Sequence, residues 1–250
     1  MALNSKSAIV IFQAIFEDFK LNHDCLNAYA NTNISNFESI FPRELRLFRV
    51  RLRLTIGLKI GFNEDFAMVK NEPTKKTYIE ILKCNEAWFA YESMKKMCEI
   101  WNLTKANCRT PVDIFDSATL KNFDNISVIN EFNNQLQNEI YSNSSISTDI
   151  KNYIYFLIAE VESNSLKQVL QSIISKFTSM QNWEHKEILA VIYATRNIFV
   201  HEGETAKSGI KYYKNKITLL KILYDYIILF QLKLINYAFE QKICKYGLTK

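Results

Sequence analysis

A chain of 250 residues that is 48% hydrophobic carries enough apolar surface for a real core, which excludes disorder along its whole length. Five glycines and three prolines exclude an all-β architecture, which needs turn-formers every ten residues or so. The basic excess, 31 Lys and Arg against 26 Asp and Glu, is mild and selects no class of partner by itself.

Apolar residues at helical spacing predict helices over 5–21, 42–69, 77–102, 127–141, 149–178, 182–201 and 212–244. The expected fold is therefore an all-α bundle of six or seven helices. Its expected division is an N-terminal helical region of unassigned role, 1–70, and a helical domain, 71–250.

The first apolar run is broken by Glu17 and Asp18 and lacks a small-residue cleavage site, so it reads as a helix rather than a signal peptide. In the second segment Arg43, Arg46, Arg49, Arg51, Arg53 and Lys59 face one acid, Glu44. Residues 49–55 alternate with the period of a strand, yet Arg43, Arg46, Arg49 and Arg53 also share one side of a helical wheel, and a helix is expected. That cluster reads either as a solvated face or as a phosphate-contacting, RNA-steering patch. Pro73, in Asn-Glu-Pro-Thr, marks a stop and restart.

The aromatics Tyr78, Trp88, Phe89, Tyr91 and Trp101 of the third helix read as core rather than as base-stacking groups. Residues 141–148, rich in Ser and Asn, read as a loop. The most hydrophobic stretch, 217–239, holds Lys221, Asp225 and Lys233, so it is expected as a long core helix and not a membrane span. Cys25, Cys84, Cys98, Cys108 and Cys244 are odd in number and form no C-x-x-C pair. They read as buried thiols of a reducing, cytoplasmic compartment.

The sixth segment carries the chemistry. On an ideal helix Ile188, Val191, Ile192, Thr195 and Phe199 make an apolar stripe, whereas Ala190, Ala194, Asn197 and His201 lie opposite, a small-residue face shaped for close approach. Asn197 and His201 are four apart, which suits the amide to orienting the imidazole. Arg196, five before His201, lies about 140° round a straight helix, so either its long side chain curls over or a two-fold mate supplies the missing half of the site. Gly203 stands where a left-handed cap would end the helix. Histidine takes and gives a proton near neutral pH, and arginine grips phosphate oxygens and offsets transition-state charge. His185 and His23 have no partner at a useful spacing and read as structural or exposed. With no acidic pair or His/Cys cluster at metal-ligand spacing, cleavage is expected to need no metal or cofactor and to use the RNA 2′-hydroxyl as nucleophile.

Arg196-Asn197 followed four residues on by His201 resembles the R-x4-6-H motif of HEPN domains, near the end of a helix in an all-α bundle and before another long helix. The resemblance implies a HEPN-like bundle and a metal-independent endoribonuclease of toxin–antitoxin or anti-phage type. It implies Arg196, Asn197 and His201 as catalytic residues, RNA as substrate, and a homodimer formed through the motif helix. An antitoxin or defence-complex partner is also implied. The alternative is a non-catalytic HEPN-like module that binds nucleic acid or a partner protein. Glu204 stands where many such toxins carry a modifiable tyrosine, which puts neutralisation by that route in doubt.

Overall fold

The computed structural model describes residues 3–33, 35, 37–58, 72–103, 123–203 and 205–248. Among them the chain forms α1 (Lys6–Thr32), α2 (Phe37–Ile40), α3 (Arg43–Gly57), α4 (Glu72–Ile100), α5 (Ile126–Gln135), α6 (Ser144–Glu160), α7 (Asn164–Ser179), α8 (His185–Asn197) and α9 (Tyr213–Lys245), with no strand. Two π-helical turns, Leu136–Tyr141 and Ile198–Glu202, extend α5 and α8. The expected all-α bundle is observed, with nine helices among the described residues rather than six or seven.

Helix α9, 33 residues long and therefore about 50 Å from end to end, is the axis of the bundle. It is apolar on every side, as a helix surrounded by neighbours must be, and α1, α4, α5 and α6 pack around it. The Gln231 amide donates to the Ala87 carbonyl at 2.9 Å, fixing α9 against α4. Leu26, Phe48, Trp88, Tyr153, Ile188 and Phe230 belong to one continuous core. The expected boundary near residue 70 lies outside the described residues; the core runs without interruption through the helices on either side of it.

Three expectations are corrected. The single helix over 149–178 is two, because Ser163 accepts from the Leu166 N–H and starts α7. The loop expected over 141–148 is mostly helix: Asn143 accepts from the Ser145 and Ile146 N–H groups and caps α6. The first helix runs to Thr32 instead of ending near 21, since buried Leu26 and Ala30 continue the stripe begun by Ala8 and Phe12. Residues 49–55 are helical, as expected, and 59–69 of that segment lie outside the described residues.

Of the cysteines, Cys84 and Cys98 are buried, and burial pushes the Cys98 thiol up to about 12. Cys25 is half-buried and Cys244, in the last turn of α9, is exposed, and Cys108 lies outside the described residues. No helix among the described residues is long and apolar enough to cross a membrane.

Asp225 sits inside α9 yet is 1% exposed; it accepts from the Asn4 and Ser5 backbone N–H groups and from the Asn4 amide at 2.9 to 3.1 Å. Burial outweighs those bonds and raises its carboxyl from 3.8 to about 6. The folded chain thus holds this proton at pH values where the unfolded chain has released it. This group's contribution is complete below about pH 4 and is lost as pH rises towards 6, at up to about 1.4 kcal/mol per pH unit. Urea midpoints measured between pH 4 and 7 should fall more steeply for the wild type than for Asp225→Asn; parallel profiles would refute the assignment.

Candidate functional site

Helix α8 is fixed at its start and closed at its end. The Glu184 N–H donates to the Glu187 carboxylate at 2.7 Å, and Lys176 of α7 pairs with the same carboxylate at 2.7 Å. Ile188, Leu189, Ala190, Val191, Ile192, Ala194 and Thr195 are all buried. The small face of Ala190 and Ala194, expected to be open to an outside partner, is therefore already covered within the chain. The apolar stripe also ends differently: Ile198 enters the core and Phe199 is half-buried at its margin, because the helix widens into the π turn there.

Gly203 closes that turn with φ +68°, and its N–H reaches the Ile198 carbonyl, as its expected capping role requires. The segment that follows is clamped by two buried side chains. Lys216 donates to the Thr205 and Ser208 carbonyls at 3.2 and 3.3 Å, with its ammonium 4.6 Å from the Tyr153 ring centroid. Asp149 accepts from the Lys211 and Tyr212 N–H groups and the Asn215 amide at 2.8 to 3.0 Å. The Tyr153 hydroxyl in turn meets Thr195 on α8 at 3.1 Å. Helix α6 therefore holds both the motif helix and the chain leaving it.

Asn197 and His201 line one groove of about 450 Å³ with Tyr193 and Ile198 on one wall. The opposite wall is the α6–α7 turn, which presents Glu160, Glu162 and Ser163. His201 is exposed and, among the described residues, has no hydrogen-bond partner. The amide expected to orient it instead accepts from Arg196: Asn197 Oδ1 lies 3.0 Å from Arg196 Nη1.

Arg196 does not line this groove. Its guanidinium lies 5.4 Å from the Phe89 ring centroid, and Arg51 of α3 lies 5.1 Å from the same ring. Arg51 is 3.7 Å from Glu86, whereas the Nε of Arg196 is buried without a partner among the described residues. Within one chain, then, Asn197 joins the motif's arginine to the groove that holds its histidine. Arg196 and His201 do not converge on a single point there.

The basic cluster divides. Arg43, Arg46 and Arg53 are exposed, but Arg49 is half-buried and donates to His23 Nε2 at 3.3 Å, and Lys59 lies outside the described residues, as does Glu204. His185 is structural: burial lowers its imidazole to about 3, and it shares hydrogen bonds with Tyr226 and Asn125. Among the described residues no three His, Cys, Asp or Glu side chains group closely enough to hold a metal ion. Sequence reasoning missed Phe89, Arg51, Glu160 and Glu162 as neighbours of the motif; only Phe89, in an aromatic run, and Arg51, in the basic cluster, gave any signal. Comparison with protein-family models, curated proteins and solved structures finds no match to this chain.

Proposed function

We propose that the chain is a metal-independent endoribonuclease of HEPN type, acting as a homodimer in the cytoplasm within a toxin–antitoxin or anti-phage system. The observation that carries this reading is the arrangement at the end of α8: Asn197 is hydrogen-bonded to Arg196 and shares a solvent-open groove with His201, whose imidazole has no hydrogen-bond partner among the described residues. His201 is the general acid/base, Arg196 binds the scissile phosphate, and Asn197 holds the guanidinium in place. A second chain across a two-fold axis supplies the remaining approach of arginine to histidine. The exposed Arg43 and Arg46 steer the RNA.

Glu160 and Glu162 favour a second reading, a non-catalytic module that binds a partner protein, because two carboxylates in the groove repel a phosphodiester. Mixed single-stranded RNA incubated with the wild-type protein in EDTA separates the two. Cyclic-phosphate and 5′-hydroxyl ends are expected for the nuclease; intact RNA would leave only the binder.

A further inference from the structure

Helices α1 and α3 enclose a second groove, of about 500 Å³, that shares no lining residue with the first. Its floor is aromatic: Phe12, Phe16 and Phe19 stack in succession at 5.6 and 6.0 Å, and Phe48, Leu52 and Leu232 complete it. Its charge is gathered at the rim, in Lys20, His23, Asp24, Arg49 and Arg53. The His23 Nδ1 lies 3.2 Å from the Asp24 carboxylate, and its Nε2 accepts from Arg49 at 3.3 Å. That chain fixes the imidazole tautomer and holds the Arg49 guanidinium at the mouth of the groove. Among the described residues neither Arg49 nor Arg53 has a carboxylate within 4.0 Å.

Two guanidiniums one helical turn apart and without a counter-ion among the described residues, set over an apolar trough, complement a ligand that is itself apolar with one anionic end. A nucleobase fits poorly, since the phenyl and alkyl floor leaves its polar edge without partners. The geometry points to a single-chain amphiphile: an alkyl tail laid along the phenylalanine floor, and a carboxylate or phosphate monoester head held by Arg49 and Arg53. This site is separate from the groove of His201 and does not depend on the nuclease reading.

Titration calorimetry on the full chain with dodecanoate, dodecyl phosphate and dodecanol, below their micelle-forming concentrations, tests it. One molecule per chain is expected, with at least one of the two anions bound at least ~10-fold more tightly than the alcohol. Tighter binding of one anion identifies the head group. Arg49→Gln combined with Arg53→Gln should weaken the anions ~10-fold or more and leave dodecanol unchanged, whereas Phe16→Ala should weaken all three; unchanged melting curves establish that the variants are folded. No binding, equal affinity for alcohol and anions, several molecules per chain, or anion affinity that survives the double substitution would each overturn the assignment.

Discussion

His201→Ala is expected to slow RNA cleavage by at least ~100-fold, the usual worth of a positioned acid/base group, while moving the melting temperature by no more than about 2 °C. The reason for the split is where the ring sits. His201 is exposed, borders the groove and makes no hydrogen bond among the described residues, so its removal leaves no cavity and no orphaned partner. Arg196→Ala should behave differently. Its guanidinium stacks on Phe89 and donates to Asn197, so its loss costs about 1 to 2 kcal/mol of stability as well as cleavage. Arg196→Lys keeps the charge but loses the planar stack and the fork, and should recover little activity. Retention of more than a tenth of the wild-type rate by His201→Ala would remove the imidazole from the chemistry.

The helices that could be read from sequence are those whose apolar residues alone decide their position. The 212–244 prediction lies within two residues of α9 at each end, and the start of α3 at Arg43 and the glycine ending the motif helix were equally plain. The errors arise where polar side chains do structural work. The second half of α1 went unread because its core position 22 is an asparagine, whose amide meets Asn236 at 2.5 Å instead of packing as an apolar group. The α6–α7 break is marked by only four consecutive polar residues, too few to interrupt the apolar pattern of the two helices that flank it, although Glu162-Ser163-Asn164-Ser165 carries a ready N-cap. At the site, residue types and spacing named Arg196, Asn197 and His201, but the direction of Arg196 depends on α3 and α4. Phe89 and Arg51 are more than a hundred residues away, and no local pattern encodes their approach.

Trp183→Ala is expected to cost about 3 to 5 kcal/mol, a large part of the roughly 5 to 15 kcal/mol that holds a domain together, and to lower the melting temperature by roughly 10 °C or more. The side chain is 1% exposed and packs at ring-centroid distances of 5.6 and 6.0 Å from Phe132 and Phe177. Its indole N–H donates to the Tyr141 hydroxyl at 3.0 Å, and Tyr141 in turn donates to the Gln181 carbonyl at 3.2 Å. Burial keeps that phenol un-ionised, pushing it up to about 12. The backbone at 183 is held as firmly, its N–H by Asn133 Oδ1 at 2.8 Å and its carbonyl by the Asn133 amide at 3.0 Å. Trp183→Phe separates volume from hydrogen bonding: it fills most of the space but leaves the buried hydroxyl without its donor, so a cost of about 1 to 3 kcal/mol is expected. Asn133→Ala, which strands a buried N–H and a buried carbonyl, should fall in the same range. Because these groups lock the chain immediately before α8, the damage should reach the motif: Trp183→Ala should lose cleavage below its own melting transition, whereas Trp183→Phe should retain it. A melting shift under about 3 °C for Trp183→Ala in thermal denaturation would show that α8 is held from elsewhere.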